Sequence, residues 1–250
     1  MSDNKNKLIV ALDVPTFEEA RALVEAIGDA VQIYKVGSQL FTACGPIVVR
    51  HLLAQGKDVF LDLKFHDIPN TVANAVSSVV GLNNLGHEAM DENGKKTGKK
   101  GCIILCTLHT IGGSEMLERA VQAAIKTSAD IGVTKPRLVG ITVLTSEATS
   151  DNISDIVLER ARVAKASGLD GVVASSQEAS ILRREFGEDF VVVTPGIRPA
   201  GADQGDQKRV TTPKEAIANG SSYLVVGRPI VKADNPNQAA IDILKEINEE

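Results

Sequence analysis

The chain has 250 residues, 43% hydrophobic, 24% charged and only 3% aromatic, with a formal net charge of −5. This is ordinary globular composition with enough chain for one large core. Its acidic balance, without a long basic block, argues against nucleic acid, which asks for a basic footprint and often for stacking platforms. No apolar run approaches the ~18 residues of a membrane span, and the polar residues 1–7 lead us to expect no secretory signal. A cytoplasmic protein with neither a membrane nor a nucleic-acid partner is expected.

Eight short apolar runs, each followed by a helical or loop segment, read as strands at about 8–14, 32–38, 58–65, 102–109, 137–145, 171–175, 190–196 and 222–227. Between them lie amphipathic stretches such as 16–27, 113–127, 152–167 and 237–247. Thr16 with Glu19 three residues on is a capping-box signature. Strand–helix alternation of this length predicts an α/β protein, a single (β/α)8 TIM-barrel domain over residues 1–250. A doubly wound sheet usually carries fewer strands in such a length.

In a barrel of this kind, chemistry sits where strands end. In the first run Ile9, Ala11 and Asp13 share a face, and in the second Ile33, Lys35 and Gly37 do. In the third, Val59, Leu61 and Leu63 alternate with Phe60, Asp62 and Lys64. Asp62 and Lys64 therefore lie on one face, roughly 6–7 Å apart along the backbone. Pro69 then suits the first turn of a helix. Three consecutive strands thus bring Asp13, Lys35, Asp62 and Lys64 to one mouth. Charges of both signs at strand ends are costly unless they pair or act. An alternating Asp–Lys–Asp–Lys array offsets its desolvation only through close pairing. His66, just past the end of the third run, is expected to play a structural or interface role.

Residues 87–100 (HEAMDENGKKTGKK) break the rhythm and read as a surface insertion. Cys44, Cys102 and Cys106 form an odd set with no Cys-x-x-Cys spacing, expected to be inert thiols in a reducing compartment. His51, His87 and His109 show no metal spacing. At the end of the seventh run, Thr194-Pro195-Gly196-Ile197-Arg198 leads into a Gly- and Asp-rich loop, 199–212, that reads as a lid and holds Gln207. The eighth run ends in Val226-Gly227-Arg228-Pro229-Ile230. Loops after strands seven and eight recurrently build a phosphate pocket in such barrels. There Gly227 admits an anion close to the backbone, and Arg228 offers a fork of donors.

Taken together, these segments resemble the orotidine 5′-monophosphate decarboxylase family, over almost the whole chain. The resemblance rests on Val10-Ala11-Leu12-Asp13, Tyr34-Lys35-Val36-Gly37, the block Asp62-Leu63-Lys64-Phe65-His66-Asp67-Ile68-Pro69-Asn70-Thr71, Leu144-Thr145-Ser146, Thr194–Arg198, Gly205-Asp206-Gln207 and Val226–Ile230. It implies decarboxylation of orotidine 5′-monophosphate to uridine 5′-monophosphate, the final step of de novo synthesis of that nucleotide, with no cofactor and no metal. By the same resemblance Lys64 protonates C6 of the pyrimidine, Asp62 and Asp67 flank it, and Lys35 bridges Asp62 and the ribose. Asp13 contacts the ribose, Thr145 the base, and Arg198, Gln207, Gly227 and Arg228 the phosphate side. It further implies a homodimer in which Asp67, Ile68 and Thr71 lie at a shared site, Asp67 and Thr71 reaching into that of the partner. Metal-dependent sugar-phosphate relatives with the same Asp-x-Lys-x-x-Asp core use a glutamate at the end of strand two, where this chain has Lys35. The fourth run, Leu105-Cys106-Thr107-Leu108-His109-Thr110, departs from the family's more frequent Asn-Val-His-Ala-like sequence. That departure is expected to touch none of the matched functional residues.

Overall fold

The structure, a computed structural model, describes residues 4–85, 100–144, 152–199 and 210–248. Eight parallel strands, β1 (Leu8–Ala11), β2 (Ile33–Gly37), β3 (Asp58–Phe65), β4 (Ile103–His109), β5 (Arg137–Ile141), β6 (Gly171–Val173), β7 (Val191–Thr194) and β8 (Tyr223–Val226), close into a barrel in sequence order. Parallel neighbours require crossovers. Ten α-helices are found among the described residues: α1 (Phe17–Ile27), α2 (Ser38–Cys44), α3 (Ile47–Ala54), α4 (Pro69–Leu82), α5 (Ser114–Ile131), α6 (Ile153–Ala166), α7 (Ser176–Phe186), α8 (Pro213–Ala218), α9 (Arg228–Val231) and α10 (Pro236–Asn248).

Alternation along the strands sorts side chains into two cores. Ile9, Ala11, Ile33, Phe60, Leu105, Val139, Val191, Val193 and Val225 fill the barrel interior. Their sequence neighbours, among them Val10, Tyr34, Val36, Val59, Leu61 and Cys106, face outward and pack in the larger core with the helices. Most observed strands are shorter than the apolar runs at their C-terminal ends. The alternation continues past the last ladder hydrogen bond, so Asp13, Arg198 and Gly227 stand beyond their strands rather than in them.

Local signals act as expected at several helix starts. The Thr16 hydroxyl accepts the Glu19 N–H at 3.2 Å and caps α1, although its own proton goes to the Glu19 carboxylate at 3.1 Å. A complete capping box, with both reciprocal bonds, forms instead between Thr212 and Glu215 at α8. Pro69 opens α4. Of the 87–100 insertion, residues 87–99 lie outside the described residues, as do residues 200–209 of the loop read as a lid.

Close approach between β6 and β7 depends on Gly171, where an added Cβ would meet the Val191 carbonyl oxygen at 2.0 Å. Backbone cannot yield as a side-chain tip can, so Gly171→Ala is expected to destabilise the barrel by about 3 kcal/mol or more. Urea unfolding checks this through the shift in midpoint. Burial also governs the thiols. It pushes Cys106 up to about 12, helped by the negative charge of Asp62, and Cys102 up to about 11, helped by Asp58. Both are therefore expected to resist alkylation near neutral pH in the folded protein and to react once it is unfolded, read by mass spectrometry.

Candidate active site

Successive strand ends bring Asp13, Lys35, Asp62 and Lys64 into one chain of contacts. Lys35 Nζ donates to Asp13 Oδ1 at 2.8 Å and lies 3.7 Å from Asp62 Oδ2. Lys64 Nζ donates to the same Asp62 oxygen at 2.8 Å. Lys35 and Asp62 are buried, each with 11% of its side chain exposed, whereas Lys64 and Asp13 open toward the cavity. Desolvation inside the barrel is thus offset pairwise, the condition under which buried charges persist.

The strand alternation that predicts a shared face for Asp62 and Lys64 does not run unbroken to Lys64. Leu61 pairs with Cys106, but Phe65 pairs with Leu108, so Asp62, Leu63 and Lys64 bulge opposite Thr107 alone. Lys64 takes a left-handed backbone, φ 53°, as no other non-glycine among the described residues does. Such a backbone costs on the order of 1–3 kcal/mol and clusters where function holds it. It is held by Thr107, fully buried on β4, whose hydroxyl accepts the Lys64 N–H at 2.8 Å and donates to Asp62 Oδ1 at 3.1 Å. This corrects the expectation drawn from the sequence. The departure in the fourth run does touch matched residues, because Thr107 bonds to both Asp62 and Lys64. A threonine inside an apolar strand gives no local sign of such contacts.

Asp67, Ile68 and Thr71 are exposed on the rim where β3 passes into α4, and Ile68 keeps 66% of its surface in solvent. Asp67 Oδ1 accepts the N–H of Ile68. Among the described residues no ion pair joins Asp67 to Lys64 within the chain, so the structure does not bring these two together in one subunit. The exposed His66 ring sits against His109, centroids 5.7 Å apart.

Across the mouth lie Arg198, after β7, and Gly227 and Arg228, after β8. Arg198 is buried and donates to the Ile197 carbonyl at 2.9 Å. An added Cβ on Gly227 would make only ordinary contacts, at 3.6 Å or more, with Ala11 and Asp13. Its value as a glycine is therefore the open approach to its backbone rather than relief of a clash. Lys232, one turn after Arg228, also lines the cavity. The sequence reading missed it, because the helix before it, α9, spans only four residues and leaves no periodic pattern. Thr145 and Gln207 lie outside the described residues.

The resulting cavity measures about 530 Å³, within the range of small-ligand sites. Phe60, Ile141, Val173 and Val225 give it an apolar floor. Five cationic side chains and two carboxylates line it, so it attracts anions although the chain as a whole is acidic. Among the described residues no group of three His, Cys, Asp or Glu side chains is placed to hold a metal ion. Nor is any helix among them long and apolar enough to cross a membrane.

Opposed charges gathered at the C-terminal mouth of a closed parallel barrel define a (β/α)8-barrel enzyme. Comparison with known proteins narrows the class. The family model described as "Orotidine 5'-phosphate decarboxylase / HUMPS family" matches residues 6–243. The chain is 44% identical to the orotidine 5′-phosphate decarboxylase of Geobacter sp. (strain M21), over 96% of this chain and 95% of that protein. It is 43% identical to the protein of that name from Vibrio cholerae serotype O1, with 98% of each covered. The crystal structure of orotidine 5′-phosphate decarboxylase from Lactobacillus acidophilus superposes with a TM-score of 0.78 at 37% identity, over 98% of this chain and all of that one. The chain belongs to the orotidine 5′-phosphate decarboxylase / HUMPS family.

Proposed function

We propose that this chain decarboxylates orotidine 5′-monophosphate to uridine 5′-monophosphate and CO2, the last step in making that nucleotide, in the cytoplasm and without a cofactor. The observation that carries the reading is the contact chain Asp13–Lys35–Asp62–Lys64 facing a cation-lined far wall. The C6–carboxylate bond breaks with its electron pair left on C6, and Lys64 gives a proton from Nζ to that carbon. Lys64 then regains a proton from solvent. Asp62 beside the substrate carboxylate disfavours that charge in the ground state, while the Lys64 ammonium stabilises charge as it moves to C6. Preorganised electrostatics is the larger part of this account. Lys35 and Asp13 hold the ribose, with Thr145 on the base. Arg198, Gln207, Gly227 and Arg228 take the phosphate, and its remote binding energy orders the site.

The functional unit in this reading is a homodimer. The partner's Asp67 completes the array beside Lys64, with the partner's Ile68 and Thr71 near it. Support comes from the exposure of all three at the rim, from the absence among the described residues of an Asp67–Lys64 pair, and from the exposed apolar Ile68 and Ile111, on segments that the His66–His109 contact brings together. Orotidine 5′-monophosphate supplied with EDTA tests the function, followed by loss of the orotate absorbance and detection of uridine 5′-monophosphate. Rapid conversion is expected. Failure by a folded protein, with Mg2+-dependent turnover of a pentulose or hexulose phosphate, would move the assignment to the metal-dependent sugar-phosphate reaction. Lys35, held between Asp13 and Asp62 where a cation ligand would be needed, argues against that outcome.

A further inference from the structure

Resting on the decarboxylase reading, we infer that Thr107 is a positioning residue that sets the geometry of both Asp62 and Lys64. A backbone N–H can only donate, so the Thr107 oxygen accepts from Lys64 N at 2.8 Å. A carboxylate accepts, so the hydroxyl proton points to Asp62 Oδ1 at 3.1 Å. Both bonds are formed in the barrel interior, where an orphaned donor or acceptor is costly.

The consequences reach the reacting groups directly. With Oδ1 occupied by Thr107, Asp62 presents Oδ2 to Lys35 and Lys64, at 3.7 and 2.8 Å. With its N–H anchored, Lys64 keeps the left-handed backbone of the bulge while its Nζ donates to Asp62 Oδ2. No β4 carbonyl is in register to take that N–H, because the pairing skips from Leu61–Cys106 to Phe65–Leu108. Threonine suits the task because its branched Cβ limits χ1. Neighbours along β4 have no equivalent group, since Cys106 and Leu108 face the helices.

Three variants test the inference in the full-length enzyme: Thr107→Val, which keeps the shape and removes the hydroxyl, Thr107→Ser, which keeps the hydroxyl, and Thr107→Ala. The wild-type assay comes first, so that absence of decarboxylation there counts against the function and not against Thr107. With wild-type turnover in hand, Thr107→Val is expected to lower kcat about 100-fold, the scale of a reacting group misplaced by ~1 Å. KM and the Kd for uridine 5′-monophosphate should stay within about 3-fold, because the groups on the phosphate side are untouched. Thr107→Ser should recover kcat to within about 10-fold of wild type. A valine variant with wild-type kcat overturns the inference. So does an equal loss in the valine and serine variants, or a fall in kcat that tracks loss of nucleotide affinity and melting temperature, since either means Thr107 only fills space. If the valine variant does not fold, alanine against serine makes the same comparison, as both shrink the site and only serine keeps the hydroxyl.

Discussion

Replacing Lys64 by alanine is expected to lower kcat for orotidine 5′-monophosphate by at least ~10⁴-fold, combining the proton-transfer and electrostatic contributions of one group. Binding of uridine 5′-monophosphate should survive largely intact. In the proposed function the product's phosphate and ribose are held by groups on other strands, and the fold has little stake in a side chain that opens into the cavity. Alanine also leaves Asp62 with Lys35 at 3.7 Å and the Thr107 hydroxyl at 3.1 Å, so the buried carboxylate is not stranded. Steady-state kinetics and calorimetric titration with the product separate the two effects. Normal turnover would remove Lys64 from the chemistry, and lost product binding would show that its loss disturbs the whole site.

Mixing two inactive variants should restore activity. In the dimer reading each site takes Lys64 from one subunit and Asp67 from the other. Lys64→Ala and Asp67→Asn should each be nearly inactive alone. In a mixed dimer one site receives both damaged residues and the other receives neither. Random exchange of subunits is then expected to yield about a quarter of wild-type activity, since half the dimers are mixed and half their sites intact. Activity after co-expression, set against the dimer fraction from sedimentation, is the measurement. Absence of recovery in properly mixed dimers would confine Asp67 to its own subunit or remove it from the site. The exposed position of Asp67, its oxygen engaged among the described residues with the adjacent Ile68 N–H, is what makes recovery the expected result.

Much of this arrangement was legible in the residues themselves because it depends on periodicity over a few positions. Alternation sent Asp13, Lys35 and Asp62 to the interior face of three successive strands, and parallel strands ending at the same rim did the rest. Gly227-Arg228 after the eighth strand was legible for the same reason. The strand ends were read too long because alternating side chains continue where the ladder stops, as at β1, which ends at Ala11 with Asp13 beyond it. The roles of Thr107 and Lys232 were not legible. Thr107 meets Lys64 and Asp62 across 43 and 45 residues of chain, and nothing near it in sequence marks the contact. Lys232 gains its place from a four-residue helix, too short to leave a periodic pattern.

By itself, the sequence determined the class of fold, the identity of the charged groups and the end of the barrel at which they gather. These follow from local alternation, turn chemistry and the cost of burying charge. Only the tertiary structure decided the register between β3 and β4, and with it the bulge that turns Lys64 and the hydroxyl that anchors it. Register is a relation between strands distant in the chain. It is settled by how side chains such as Phe60 and Leu105 fill the closed barrel together, which no short stretch of residues encodes.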